Sequence, residues 1–296
     1  MLINLCIMCA SKIIEKPLIK YPRGAYLFLG MEGSGKTVFF TSLCDLLQRE
    51  GNNNPDFKFE FIPCDNDKPG QNSTDDYIRA NLRKIRNQKW PDKTDGGERM
   101  KERSLTPYTC VLSVPGFLFG TNRYTMSYID YPGEAFRSAF SPDGNYKGAT
   151  EQVRNIGSLL RGTTNKAKGI FLLIDAEAVM NADADEKDTM NRIWGTMFLT
   201  IRQNNPGAKV ALIFNKMELF NYPGAERDVL QRFKDDFSNA YTAYELLRNK
   251  KHYFVQPLGS IDTAADGETV PPKERTPKNM LEVAEWMFNY DLRKKK

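Results

Sequence analysis

A glycine-rich segment near the start of the chain has the residue types and spacing of a phosphate-binding loop. Residues 30–37 read GMEGSGKT and match the pattern G-x-x-x-x-G-K-[ST]. Its glycines allow a tight turn whose backbone N–H groups point at phosphate oxygens. Lys36 would place its charge between the β- and γ-phosphates, and the Thr37 hydroxyl would bind Mg²⁺. The predicted nucleotide-binding residues of this loop are Gly30, Glu32, Gly33, Ser34, Gly35, Lys36 and Thr37.

The segments on either side of this loop support the interpretation. Residues 25–29 are apolar and aromatic, which predicts a short buried strand, and residues 38–47 carry apolar side chains at helical spacing. The order of strand, glycine-rich turn and helix distinguishes a phosphate site from a chance match, because the helix N-terminus adds to the field that attracts an anion. The sequence therefore predicts that a nucleoside triphosphate binds here.

A second motif could complete the phosphate and metal site. Residues 128–134 (YIDYPGE) end a predicted strand in Asp-x-x-Gly. Asp130 could hold Mg²⁺ through a water, and the N–H of Gly133 could reach a γ-phosphate oxygen because glycine has no Cβ in the way. Asp175 and Glu177, in the run FLLIDAE, resemble the metal-binding strand of an ATPase and are the alternative. We favour Asp130 because a glycine follows it at the required spacing and a predicted hairpin precedes it.

A third motif could read the base. Residues 211–218 (ALIFNKME) end a predicted buried strand in Asn-Lys-x-Glu. In the pattern Asn-Lys-x-Asp, the carboxylate accepts hydrogen bonds from N1 and N2 of guanine, which adenine cannot donate. We therefore assign Asn215, Lys216 and Glu218 to a guanine site, with a strand and an ordinary polar turn as the alternative. Ser260, in the run GSI after the next predicted strand, lies where a backbone N–H would meet the guanine carbonyl.

In this order, GMEGSGKT, DYPGE, NKME and GSI resemble the motifs of the translation-factor-related (TRAFAC) class of P-loop GTPases. The DYPGE run, with WPDKT at residues 90–94 before it, is similar to the bacterial double-GTPase and YcjX-like branches. The resemblance spans residues 26–260 and implies GTP or GDP and Mg²⁺ as ligands. It also implies that Thr94 is the switch threonine that closes on Mg²⁺ and the γ-phosphate, with Thr106 as the alternative.

Two acidic residues depart from the Ras-like pattern. Glu134 stands where those GTPases place a water-orienting glutamine; a carboxylate can accept from the attacking water but cannot donate to the transferring phosphoryl group. Glu32 replaces a glycine beside the γ-phosphate, where its charge would repel the nucleotide. With Lys36, Thr94 and Glu134 as the predicted catalytic residues, we expect slow hydrolysis, as in GTPases without an activator.

The leading hypothesis is a cytoplasmic, Mg²⁺-dependent GTPase that acts as a conformational switch for an unknown protein effector or activator. The alternatives are a nucleotide-binding scaffold that does not hydrolyse, and an ATP-specific P-loop NTPase.

Composition argues against several other classes of protein. The formal net charge of +5, from 42 basic and 37 acidic residues, is too mild to predict nucleic-acid binding. The single histidine, His252, is too few for a histidine-rich metal site. A Ser-His-Asp triad would need it inside a site, whereas we expect it at the surface just before a predicted strand. The odd number of five cysteines predicts reduced thiols, and the pair Cys6 and Cys9 could bind zinc only together with a partner chain. The apolar residues 1–10 are too short to cross a membrane, so we expect no membrane partner.

The alternation of strands and helices predicts an α/β fold of the P-loop NTPase type. We expect a mostly parallel sheet with one antiparallel hairpin strand and helices on both faces. Residues 1–20 are a predicted N-terminal extension, and residues 21–296 are a GTPase-like domain with an inserted segment at about 52–105. The remaining predictions are helices at 73–87, from 150, through 190–201, at 225–248 and after 279, strands at 108–119, 123–130, 169–175, 210–214 and 253–258, and irregular structure at 133–149 and 262–277.

Overall fold

The structure of the protein is a computed structural model that describes residues 24–63, 73–92, 107–116, 120–142 and 149–293. The strands are β1 (Tyr26–Gly30), β2 (Lys58–Ile62), β3 (Tyr108–Pro115), β4 (Thr121–Tyr128), β5 (Gly169–Asp175), β6 (Lys209–Asn215), β7 (Asn249–Phe254), β8 (Asp262–Thr263) and β9 (Thr269–Val270). The helices are α1 (Lys36–Asn53), α2 (Ser73–Arg86), α3 (Gly133–Phe140), α4 (Glu151–Thr164), α5 (Ala176–Asn181), α6 (Ala184–Asn204), α7 (Ala225–Asp236), α8 (Ser238–Glu245) and α9 (Met280–Phe288).

Seven strands form one mixed sheet in the order β2-β3-β4-β1-β5-β6-β7. The strands from β4 to β7 pair in parallel, with β1 between β4 and β5. Strand β3 runs antiparallel to both of its neighbours, β2 and β4. This arrangement confirms the predicted α/β fold class, and it brings the carboxyl ends of β4, β1, β5 and β6 to one edge of the sheet.

The side chains of β1 alternate between two hydrophobic layers, as a strand covered on both faces requires. Leu27 and Leu29 belong to the layer that includes α3, α4 and α6, together with the buried Trp194. Tyr26 and Phe28 belong to the opposite layer, with α1, α2 and α9. Helices therefore cover both faces of the sheet. In the described part of the chain, no helix is both long and apolar enough to cross a membrane.

Most of the predicted elements are confirmed, with ends that differ by a few residues. The predicted helix 73–87 is α2, the predicted strand 169–175 is β5, and the predicted helix through 190–201 is α6, which ends at Asn204. The predicted hairpin is β3 and β4. Thr150 begins α4, and its hydroxyl accepts a hydrogen bond from the N–H of Val153 at 3.3 Å.

The expectation that residues 133–149 are irregular is wrong at its start. Helix α3 covers Gly133–Phe140 and buries Ala135, Phe136, Ala139 and Phe140. These residues recur at helical spacing and pack in the same layer as α4 and α6. The sequence did not predict this helix because Pro132 and Gly133, at its start, are poor helix formers. Proline is nevertheless well tolerated at a helix start.

The single helix predicted over 225–248 is two helices. Helix α7 ends before the fully buried Phe237, whose φ of −119° and ψ of 44° interrupt the helical path, and α8 follows directly. Strand β7 then begins at Asn249, earlier than the predicted 253, so the exposed His252 lies within it. An edge strand with mostly polar exposed side chains gives little periodic signal.

Two further strand pairings were not predicted. Residues 58–62 (KFEFI) alternate as a strand does, and they form the edge strand β2 with both phenylalanines partly buried. This strand and α2 come from the predicted inserted segment. In the predicted loop 262–277, β8 and β9 form a short antiparallel ribbon.

Candidate functional site

The phosphate-loop residues form a tight turn between β1 and α1. Gly33 and Gly35 have φ of +74° and +76°, a left-handed conformation that favours glycine. A Cβ on Gly35 would lie 2.5 Å from Nδ2 of Asn215, so a larger residue would also clash there. Gly35 is the N-cap of α1 and has no side chain that could cap the helix. The first N–H groups of α1 are therefore suited to an anionic ligand.

Lys36 is buried at the bottom of this turn. Its Nζ donates hydrogen bonds to the carbonyl oxygens of Gly30 at 3.0 Å and Met31 at 2.9 Å, and it lies 4.8 Å from the centre of the Tyr131 ring. Burial lowers the pKa of Lys36 to about 8, against the opposing charges of Asp130 and Glu32. The ammonium group thus contacts neutral carbonyl oxygens and a ring face. A bound phosphate would bring a negative charge into direct contact with it.

The segment after β4 packs directly against the phosphate loop. The Tyr131 hydroxyl accepts a hydrogen bond from the N–H of Gly30 at 3.0 Å and donates one to the carbonyl oxygen of the same residue at 3.1 Å. A Cβ on Gly133 would lie 2.3 Å from Cβ of Glu32, so only glycine fits this approach. Glu32 itself is exposed, and Glu134 lies partly exposed in the first turn of α3.

Thr37 and Asp130, the predicted metal ligands, are joined through tyrosine hydroxyl groups. The Tyr128 hydroxyl lies 2.9 Å from Oγ1 of Thr37 and donates to Oδ1 of Asp130 at 3.1 Å. The Tyr77 hydroxyl donates to Oδ2 of Asp130 at 3.3 Å. Tyr77 lies in the predicted helix 73–87, and no role was predicted for it or for Tyr128 from the sequence. Only the contact between β4, α1 and α2 reveals this network.

The donor set at Thr37 and Asp130 fits Mg²⁺ when a nucleotide is bound. Hydroxyl and carboxylate oxygens are ligands that this hard cation accepts. The described residues contain no group of three or more His, Cys, Asp or Glu side chains that could hold a metal without help. Phosphate oxygens and waters would therefore have to complete the octahedral shell, which is how Mg²⁺ binds in nucleotide sites.

Asn215 connects the third motif to the phosphate loop. Its side chain is almost fully buried, and Nδ2 donates a hydrogen bond to the carbonyl oxygen of Ser34 at 2.8 Å. Lys216 has a φ of +64°, which turns the chain sharply after β6, and its Nζ lies 2.5 Å from Oδ2 of Asp175. Asp175 also caps α5 by accepting from the N–H of Glu177 at 3.0 Å. Its carboxylate is thus paired with Lys216.

Glu218 lies two residues beyond Lys216, in a short 3₁₀ turn. Its Oε2 is buried and has no hydrogen-bond partner in the described part of the chain. Burial raises the pKa of Glu218 to about 7, opposed by its own backbone N–H and by Lys216. A carboxylate in this state gains from any ligand that brings hydrogen-bond donors.

Ser260 is exposed and follows a glycine that is tightly enclosed. Gly259 has a φ of +84°, and a Cβ there would lie 2.1 Å from the carbonyl oxygen of Thr276. The N–H of Thr276 donates to the carbonyl oxygen of Leu258 at 3.0 Å. The segment around Thr276 therefore fixes the backbone that leads into Ser260.

The structure brings three of the predicted motifs to the carboxyl edge of the sheet, where ligands of open α/β sheets bind. The phosphate loop follows β1, Asp130 and Gly133 follow β4, and Asn215 ends β6 next to the phosphate loop. The two candidate switch threonines, Thr94 and Thr106, lie outside the described residues, as do Cys6 and Cys9.

No protein-family model matches the chain, and no curated protein matches it. Among solved structures, the signal recognition particle receptor SRb-GTP/SRX complex from Chaetomium thermophilum is similar, with a TM-score of 0.37 and 13% identity over 80% of this chain and 94% of the other. The small COPII coat GTPase SAR1 from Encephalitozoon cuniculi, in complex with GDP, gives 0.36 and 13% over 80% and 71%. The GTP-bound Ski7 GTPase-like domain from S. cerevisiae gives 0.36 and 14% over 92% and 50%. These likenesses are distant, and the ligands belong to those proteins.

Proposed function

We propose that this protein binds guanine nucleotide together with Mg²⁺ and acts as a slow GTPase switch. The observation that carries the proposal is the turn after β6. It is tied to the phosphate loop by the bond from Asn215 to Ser34, and it carries a buried, unpartnered oxygen of Glu218 among the described residues. A nucleotide would span both the phosphate loop and this turn, with its phosphates at one end and its base at the other.

The chemistry of Glu218 favours guanine over adenine as that base. Guanine presents two N–H donors, at N1 and N2, to a carboxylate, whereas the matching edge of adenine presents an acceptor nitrogen. A buried acceptor without a partner costs about 1–3 kcal/mol, which a donor-bearing ligand removes. Asn215 adds a second such acceptor, since its Oδ1 is also buried and unpartnered within the described ranges. Lys216, held by Asp175, and the backbone at Ser260 would flank the base.

On the phosphate side, the chain's own residues would hold the β- and γ-phosphates. The N–H groups of the turn through Gly35 and the ammonium group of Lys36 would contact phosphate oxygens, and the N–H of Gly133 would meet the γ-phosphate. Thr37 and Asp130 would hold Mg²⁺, which when bound neutralises charge on the β- and γ-phosphates. Thr94 is the proposed switch threonine.

Two carboxylates near the γ-phosphate would keep hydrolysis slow. Glu134 would accept a hydrogen bond from the attacking water but offers no donor to the phosphoryl group. The backbone of Glu32 lies against Gly133, so its charged side chain starts beside the phosphate position. Preorganised donors give most of the rate in phosphoryl transfer, and a carboxylate in their place opposes it.

The same crowding at Glu32 favours a second candidate, a scaffold that binds nucleotide without hydrolysing it. The ATPase hypothesis loses support because Asp175 is paired with Lys216. Membership of the TRAFAC class, and closeness to the bacterial double-GTPase and YcjX-like branches, rest on the short motifs and are part of the proposal. So are a cytoplasmic location and an effector or activator protein.

Displacement of a fluorescent GDP by unlabelled nucleotides tests the proposal. We expect GTP and GDP to compete in the presence of Mg²⁺, with ATP at least tenfold weaker. Phosphate release from GTP then separates the two candidates, since a scaffold releases none. Equal competition by ATP and GTP would refute guanine recognition.

A further inference from the structure

The hydroxyl group of Tyr128 lies between the two side chains proposed to bind Mg²⁺. It is 2.9 Å from Oγ1 of Thr37 and 3.1 Å from Oδ1 of Asp130. Thr37 lies in the first turn of α1 and Asp130 after β4, so the tyrosine links the two elements across the site. The Thr37 hydroxyl and the Asp130 carboxylate are therefore linked by a relay through the Tyr128 hydroxyl.

Counting protons fixes the direction of this relay. A tyrosine hydroxyl has one proton, and a carboxylate can only accept. The Tyr128 proton is therefore donated to Asp130, and the remaining contact requires the Thr37 hydroxyl to donate to the tyrosine oxygen. The Thr37 proton then points toward the Tyr128 oxygen, which leaves lone pairs of Oγ1 to bind a cation.

The Tyr128 ring is held firmly enough to impose this geometry. The side chain is fully buried, and Phe40 of α1 stacks on it with ring centroids 4.7 Å apart. Phe28 of β1 meets its edge at 6.4 Å, and Tyr77 lies at 6.0 Å on another side. Tyr77 also donates to the second oxygen of Asp130. The hydroxyl thus has little freedom to move relative to either proposed ligand.

We propose that Tyr128 is a positioning residue for Mg²⁺, which orients the Thr37 hydroxyl as a metal ligand and holds Asp130 at one distance from it. This inference rests on the proposed nucleotide site. It assigns the tyrosine no contact with nucleotide or metal, so its effect is confined to the part of nucleotide binding that depends on Mg²⁺.

The test measures GDP release from wild type and from Tyr128→Phe at increasing Mg²⁺, and repeats GDP binding in EDTA. Phenylalanine keeps the ring packing and removes only the hydroxyl. Loss of a hydrogen bond to a charged group predicts that the Mg²⁺ concentration giving half-maximal slowing rises about tenfold or more, with GDP affinity in EDTA unchanged. Tyr26→Phe, another buried tyrosine of the same layer, is the matched control and should leave both quantities unchanged.

Tyr77→Phe provides a second variant, which decides the matter if Tyr128→Phe does not fold. It removes a donor to Asp130 and should give a smaller rise in the same direction. An unchanged Mg²⁺ midpoint would overturn the inference. So would a lower midpoint, because it would mean that the tyrosine hydroxyl competes with the cation. Failure of the proposed function looks different, because wild type would then bind no GDP or would release it at the same rate with and without Mg²⁺.

Discussion

Replacing Glu218 with alanine would remove the carboxylate proposed to read the base, and the structure sets the size of the effect. The buried Oε2 has no partner among the described residues, so a guanine N–H would convert an unsatisfied acceptor into a charge-assisted hydrogen bond. Such a bond contributes about 1.5–3 kcal/mol, or roughly ten- to a hundredfold in affinity. Glu218→Ala should weaken GTP binding by that factor and leave ATP binding nearly unchanged.

The raised pKa of Glu218 adds a pH dependence to the same prediction. Its pKa is about 7 in the folded protein and ordinarily 4.5, so the unfolded chain ionises first as pH rises. The group's contribution to stability is present below pH 4.5 and lost as pH rises to 7, by roughly 3 kcal/mol. Guanine requires the ionised form. GTP affinity should therefore rise between pH 6 and pH 8 in wild type, by up to about tenfold in all.

Calorimetric titration of GTP and ATP at pH 6, 7 and 8 checks both parts. Because the nucleotide's own phosphates titrate in this range, the comparison is between wild type and Glu218→Ala, which should lose the extra pH dependence. Glu177→Ala is the matched control, since it removes an exposed carboxylate from α5 at the same sheet edge. If Glu218→Ala left GTP affinity intact, or lowered GTP and ATP affinity equally, the assignment of Glu218 to guanine would be wrong.

Three further outcomes test the phosphate side. Lys36→Ala should reduce binding of GTP and GDP by at least tenfold in a fluorescence titration, while its circular dichroism spectrum stays that of wild type. The reason is that Nζ bonds to loop carbonyl oxygens and lies over the Tyr131 ring, and wild-type affinity would show that the phosphate site lies elsewhere. Gly35→Ala should lower both melting temperature and nucleotide affinity, because of its left-handed backbone and the 2.5 Å approach of Asn215, and an unchanged melting temperature would contradict that strain. Limited proteolysis between residues 94 and 149 should slow with a non-hydrolysable GTP analogue and not with GDP, and equal protection by both would favour the scaffold.

The sequence predicts the fold well where each element carries its own local signal. Strand β5 is a continuous apolar run, and α6 repeats apolar residues at helical spacing, so both could be placed from local pattern alone. Helix α3 and strand β2 could not be placed, since the first begins at Gly133 directly after Pro132 and the second is a half-exposed edge strand. The break at Phe237 is set by tertiary packing against Trp194, whose ring centroid is 5.2 Å away.

The residues of the proposed site also differ in whether the sequence alone could predict them. The phosphate loop is contiguous, and spacing within eight residues is enough to predict it. The Tyr128 relay and the Tyr131 contact with Gly30 join residues 91 and 101 positions apart. Tyrosines at strand ends are common, and no residue pattern distinguishes one that reaches a phosphate loop. Such contacts depend on strand order, which brings β4 beside β1.

Lys36 and Glu218 are both buried in surroundings that disfavour their charged forms, one positive and the other negative. Burial lowers the pKa of the lysine to about 8 and raises that of the glutamate to about 7, so near neutral pH each is held in a place that disfavours its charge. The two do not neutralise one another, because Lys36 bonds to carbonyl oxygens of its own loop and Glu218 lies on the turn after β6. A guanine nucleotide carries the complement of both, with anionic phosphates at one end and N–H donors at the other. Its binding would restore the ordinary ionisation of each group, and a ligand with only one of these features would leave the other group unsatisfied. On this proposal, the free energy that burial costs the unliganded protein would favour a nucleotide that carries phosphates and whose base donates hydrogen bonds.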